Sequence, residues 1–181
     1  YSAVKFGLGT VVMTLGAVVG ATFGQTLVTR IGPSAIAIGG FLLTGTGCLL
    51  LTQVSADGDY WSDIFLGLLV FGPGLGATFV AASVATLTGV AEGDAGLASG
   101  LNNAAFQIGG ALGSAVVTSV ALSQAVGSDP LAALTEGYRS AFAASIAFAA
   151  LGLVVAIVLL RKTSGPDADP DDVRTPAFER R

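Results

Sequence analysis

Apolar and polar positions in this chain fall into long blocks rather than alternating. Five tracts, at 6–29, 31–56, 64–91, 95–128 and 140–160, hold no acidic or basic residue, and every charge lies between or outside them. The shortest tract is 21 residues long and the longest 34. A helix of about 20 apolar residues crosses the roughly 30 Å hydrocarbon core of a bilayer, since each residue advances it about 1.5 Å. A helix of that length in a soluble protein carries charge on its wet face; no face of these tracts carries any. Within hydrocarbon every backbone N–H and C=O must find its partner inside the segment, so each tract is predicted to be helical. The pattern therefore predicts an all-α integral membrane chain with five transmembrane helices, at about 5–28, 34–54, 64–89, 96–123 and 138–160.

The connections fit that reading. Arg30, Gly32 and Pro33 join the first two spans. Asp57, Asp59 and Asp63 lie in the next connection, with Tyr60 and Trp61, whose amphipathic rings suit the headgroup level. Glu92 and Asp94 separate the third and fourth spans, and Gly127-Ser128-Asp129-Pro130 marks a turn before the fifth. The transmembrane domain then covers 1–161. Residues 162–181, where Asp and Pro predominate, are expected to form a disordered cytoplasmic tail. Five spans place Arg30, Arg161 and Lys162 on one side, with Arg174, Arg180 and Arg181 beyond them, against Lys5 and Arg139 on the other. The excess of positive charge assigns the first side to the cytoplasm. The first span starts almost at Tyr1, which leads us to expect further N-terminal helices of the same protein as its packing partners.

Composition narrows the chemistry. Mean hydropathy is +0.78. Charged residues make up 11% of the chain, against about 25% in soluble domains. The net charge of −4, with its acids confined to loops and tail, argues against a nucleic-acid partner. There is no histidine and one cysteine, Cys48, so no metal site, disulfide or cofactor is expected and no enzyme activity is read. Gly72-x-Gly74-x-x-Ala77 matches a dinucleotide fingerprint only formally, because it lies within a charge-free tract with proline at the turn and no βαβ pattern around it. Ser99 has no histidine to activate it as a nucleophile.

Glycine is more informative. The 26 glycines are about twice the roughly 7% background. Small residues let membrane helices approach closely where lipid supplies no hydrophobic drive between them. Gly16, Gly20 and Gly24 form such a ridge in the first span, and Gly109 and Gly113 repeat the spacing in the fourth. These two spans are therefore expected to be tightly packed interior helices, and the Leu/Val/Ile/Ala-rich fifth to face lipid. The third span contains Gly72-Pro73-Gly74-Leu75-Gly76, where proline removes a backbone hydrogen bond. That point is either a gating kink or a static one filling a packing gap.

Polar groups inside the tracts concentrate in the fourth span: Asn102, Asn103 and Gln107, with Phe106 among them. Asn103 and Gln107, four apart, share a face, and Asn102 lies about 100° round from Asn103. These amides serve either as interhelical hydrogen bonds or as the wall of a substrate cavity. No tract contains a carboxylate, so a proton-coupling group is expected elsewhere in the protein.

Two segments resemble a known family. Gly24-Gln25-Thr26-Leu27-Val28-Thr29-Arg30-Ile31-Gly32 resembles the G-x-L-x-D-R-x-G loop of the major facilitator superfamily. Gly96-Leu97-Ala98-Ser99-Gly100-Leu101-Asn102-Asn103, continued by Phe106-Gln107-Ile108-Gly109-Gly110-Ala111-Leu112-Gly113, is similar to the penultimate helix of its fourteen-helix drug:proton antiporter branch, the quaternary-ammonium and multidrug exporter type. Thr29 replaces the motif's Asp, and Phe106 stands where many relatives have Arg. The resemblance implies that the five spans form most of the C-terminal half of the family's bundle. The third would line the cavity, the first and fourth would pack between domains, and the second and fifth would be peripheral. It implies a multi-pass protein of the bacterial plasma membrane, exporting a small lipophilic substrate with the proton as coupling ion. Gly24, Arg30 and Gly32 would be the cytoplasmic loop motif. Export of an endogenous metabolite on the same fold, or a non-transporting membrane scaffold, remain alternatives.

Overall fold

A computed structural model describes residues 3–53, 64–124 and 130–160, and its elements are all helical. Helix α1 runs Ala3–Leu51, α2 Leu66–Leu87, α3 Ala95–Gln124 and α4 Pro130–Val155. A 3-10 turn, Glu92–Asp94, precedes α3, and a π-helical turn, Ala156–Leu160, extends α4. Residues 54–63 and the 162–181 tail lie outside the described residues, as do Tyr60, Trp61, Arg161 and Lys162.

Among the described residues four helices, not five, are long and apolar enough to cross a membrane. The difference arises at Gly32. The first two tracts join into one helical stretch, but Gly32 leaves helical geometry with φ 82° and ψ 162°. Only glycine adopts that conformation without strain. Pro33, next in line, has the fixed φ that suits the first turn of a new helix. Contacts with α2 show what the break does. Along the first arm, Gly16 and Gly20 meet Pro73 and Gly24 meets Ala77 and Val80, so both chains advance together. Along the second arm, Gly40 meets Thr78, Gly47 meets Phe71 and Leu51 meets Gly67, so one advances as the other retreats. The chain reverses at Gly32, and α2 packs against both arms.

These contacts depend on glycine. A methyl group added at Gly74 would stand 2.6 Å from the Thr44 nitrogen and 2.8 Å from the Gly40 carbonyl oxygen. Gly72 sits against Met13 and Ala17, and Gly76 against Ala17 and Ala21. The Gly72-Pro73-Gly74-Leu75-Gly76 segment, read from sequence as a gate or a kink, is thus a closely packed part of α2. Its three glycines are buried, and α2 continues as helix through Pro73. Gly40-x-x-x-Thr44 and Gly74-x-x-x-Thr78 oppose each other as an antiparallel pair. Each threonine hydroxyl donates to the carbonyl of its own helix's glycine, at 2.8 Å in both cases. Exposed Thr14, Thr22, Thr46 and Thr86 also donate to the carbonyl four residues back. That satisfies hydroxyls in a medium that offers no water.

One packing expectation needs correction, and another finds no partner among the described residues. Gly16 and Gly20 do pack closely, but Gly109 and Gly113 have no atom of the described residues within 4 Å of where a Cβ would lie. Helix α3 is the least covered helix of the four, with none of its most apolar stretch buried. The second arm, expected at the periphery, lies between α2 and α4, with Gly45 against Ala149 and Phe41 against Gly152. Ile36, Ala37, Ala81 and Ala156 form a small buried cluster where these three elements meet. Helix α4 also starts at Pro130, eight residues before the predicted span. Absence of charge locates the part of a helix that suits hydrocarbon, not where the helix begins. Glu136 and Arg139 sit inside the helix, 4.0 Å apart. Arg139 Nε donates to the Thr52 carbonyl at 3.0 Å, capping the exposed end of the second arm.

Candidate functional site

The polar residues of α3 divide by helical rotation. Asn102 faces α2: its Nδ2 donates to Ser83 Oγ at 3.3 Å. The Thr86 hydroxyl is 2.9 Å from the Ala82 carbonyl and 3.3 Å from Asn102 Oδ1. It shares its single proton between these two acceptors. Both ends of the Asn102 amide are therefore engaged by α2, and interhelical bonding, one of the two readings of the sequence, describes this residue. Phe106, one turn further along the same face, meets Phe79 edge to face, with ring centroids 5.2 Å apart and planes at 78°. This is a favoured arrangement for aromatic pairs, because the positive edge of one ring meets the negative face of the other.

Between α2 and α3 these residues border a half-open cleft of about 130 Å³, lined by Leu75, Thr78, Phe79, Ala82, Ser83, Asn102 and Phe106. The other two candidates do not reach it. Asn103 and Gln107 are exposed, on the adjoining face of α3. They have no hydrogen-bond partner among the described residues. The four-residue site read from sequence is thus two pairs: Asn102 and Phe106 in the cleft, Asn103 and Gln107 outside it. The cleft also contains Phe79 and Ser83, which the sequence reading left out. Leu75, Phe79, Ala82, Ser83 and Thr86 recur at three- and four-residue steps, so the stripe was available in the spacing of the third tract.

The cleft contains no titratable side chain. The described carboxylates, Glu92, Asp94 and Glu136, are all exposed. Of the loop-motif residues, Gly24 is packed against Ala77 and Val80, and Gly32 makes the reversal. Arg30 is exposed and has no hydrogen bond or ion pair among the described residues. Among those residues there is no group of His, Cys, Asp and Glu able to hold a metal ion.

Comparison with known proteins bears on what such a cleft serves. The family model of the Major Facilitator Superfamily matches residues 1–180. A lincomycin resistance protein of Streptomyces lincolnensis is 29% identical over 166 residues, covering 92% of this chain and 32% of that protein. A puromycin resistance protein of Streptomyces alboniger is 29% identical over 193 residues, covering 99% of this chain and 38% of the relative. A tetracenomycin C resistance and export protein of Streptomyces glaucescens is 29% identical over 116 residues, covering 64% and 21% respectively. The chain spans less than two fifths of the length of the curated relatives it matches.

Proposed function

The chain belongs to the Major Facilitator Superfamily, a family of multi-pass membrane transporters and not of enzymes, and from that premise we propose that it supplies five membrane crossings to the C-terminal half of a drug exporter. The observation that carries the reading is the family match over nearly the whole chain, joined to relatives named for antibiotic resistance and export. The reversal at Gly32 supports counting the arms of α1 as separate crossings. The second arm, Pro33–Leu51, is about 28 Å long at 1.5 Å per residue, close to the hydrocarbon thickness.

On this reading the exporter lies in the bacterial plasma membrane and its substrate is small and lipophilic. The cleft walls support that chemistry, because they offer aromatic and aliphatic surface without charge. Two helical halves rock about a central site, the general mode of such transporters, and proton influx drives the cycle. The present segment offers no carboxylate inside its apolar tracts, so the proton-coupling carboxylate belongs to the remainder of the protein. Gly109 and Gly113 on α3 await a close helix from that same remainder.

The test uses the full-length protein in inverted membrane vesicles with an acid-inside gradient. Labelled puromycin or lincomycin should accumulate in the lumen, and a protonophore should abolish the accumulation. Accumulation insensitive to the gradient would remove proton coupling. No accumulation of any lipophilic antibiotic would sink the exporter reading.

A further inference from the structure

We propose that α2 and both arms of α1 keep their packing through the transport cycle as one rigid body, and that relative motion of α2 and α3 is taken up in the connection at 88–94, not at Pro73. The proposal rests on the exporter reading and deepens it, since it says where the cycle bends this segment and where it does not.

A bend at Pro73 is opposed from two sides. Towards the first arm, a methyl group at Gly20 would overlap the Pro73 carbonyl, and one at Gly76 would stand 2.8 Å from the Ala21 nitrogen. Towards the second arm, one at Gly47 would stand 2.8 Å from the Phe71 nitrogen, and one at Gly40 2.9 Å from the Thr78 nitrogen. These are backbone atoms, so side-chain rotation makes no room. The contacts also lie both before and after Pro73: Gly67 meets Leu51, and Ala77 meets Gly24. Gly67 lies about 9 Å along the axis from Pro73, so a sharp kink of about 20° would shift it by about 3 Å. That is as large as the 2.6 Å between its methyl position and Leu51 Cγ. The contact would be either lost or turned into overlap.

The connection to α3 is built differently. Thr88 ends α2 in extended geometry, with φ −68° and ψ 124°. Gly89 follows at φ 80°, with no atom within 4 Å of where its Cβ would lie. Ala91 is extended again, at φ −63° and ψ 148°, before the turn Glu92–Asp94. The backbone hydrogen bonds here are local: Val90 N–H donates to the Leu87 carbonyl at 3.3 Å and Asp94 N–H to the Ala91 carbonyl at 2.9 Å. Beyond the turn, α3 meets α2 through the two Asn102 contacts, each 3.3 Å, and the Phe79–Phe106 ring pair. These are side-chain contacts, the polar ones at the long end of hydrogen bonding, and they part with less opposition than packed backbones. Hinges are short stretches at element ends that absorb changes in φ and ψ, which describes 88–94 and not the interior of α2.

The experiment staples each interface in the full-length protein and compares oxidised with reduced inverted vesicles of the same variant, read as uptake of labelled puromycin. In a cysteine-free background, Leu51→Cys with Gly67→Cys joins α2 to the second arm, and Ser83→Cys with Asn102→Cys joins α2 to α3. Oxidising the first pair should leave uptake within about twofold, and oxidising the second should lower it by about tenfold or more until reductant restores it. Ala91→Pro, at dihedrals that proline adopts, should lower the maximal rate by about threefold or more without lowering heat stability. Loss of uptake on oxidising the first pair would show α2 parting from α1 and overturn the rigid body. Full uptake by the oxidised second pair, or a wild-type rate in Ala91→Pro, would overturn the joint. If the second pair is inactive even when reduced, Ala91→Pro decides alone. A wild type that exports no antibiotic would sink the exporter reading, and this proposal with it.

Discussion

Gly74→Ala adds one methyl group where the second arm of α1 crosses α2. The new carbon would lie 2.6 Å from the Thr44 nitrogen, 2.7 Å from its hydroxyl and 2.8 Å from the Gly40 carbonyl oxygen. The closest approach is about 0.9 Å inside the roughly 3.5 Å at which non-bonded atoms attract. The opposed nitrogen and carbonyl oxygen are backbone, so no rotamer change relieves the clash and the helices must part. Parting them also loosens Gly47 against Phe71, further along the same crossing. Overpacking of this kind costs about 1–3 kcal/mol, whereas alanine in place of glycine favours a helix by at most about 1 kcal/mol. The net expectation is a loss of up to about 2 kcal/mol. Gly39→Ala, next to the crossing but with no atom within 4 Å, carries only the favourable helix term and should be neutral or mildly stabilising. The assay is the fraction of full-length protein in detergent that stays monodisperse after heating, read over a temperature series. Gly74→Ala should fall several degrees below the wild type and Gly39→Ala should not. Wild-type stability in Gly74→Ala would refute the close-packing argument. If that variant also lost transport, the residue would be a hinge rather than a contact.

Two further outcomes test α3. Asn102→Ala and Ser83→Ala in a double-mutant cycle on the same heated-sample assay should show coupling of roughly 0.6–2 kcal/mol, the range for hydrogen bonds between membrane helices; additive losses would mean that their 3.3 Å contact contributes nothing. Asn103→Leu and Gln107→Leu should impair antibiotic efflux from vesicles while insertion into the membrane is unchanged, because both amides are exposed and unpartnered within the described chain; unaltered efflux would remove them from the site.

Charge distribution alone was enough to read a helical membrane chain, because an ionised side chain in hydrocarbon costs so much that its absence over twenty residues marks a span. The ridge of Gly16, Gly20 and Gly24 was legible for a similar reason: without a hydrophobic drive between helices, small residues at four-residue spacing serve close contact. At Gly109 and Gly113 the same rule finds no neighbour among the described residues. Spacing shows that a helix can be approached, not which helix approaches it.

Only the folded arrangement decided the rest. It turned Gly32 from a loop residue into the point where one helical stretch doubles back. It showed the glycines around Pro73, read from sequence as either a gating or a static kink, to form the seam that joins α2 to both arms of α1. It also split the amide cluster, since a rotation of about 100° per residue sends Asn102 towards Ser83 and Asn103 away from the cleft. Burial in lipid is a property of each residue and can be read along the chain. A contact is a property of two residues far apart in the chain, and their partnership exists only once the helices have packed.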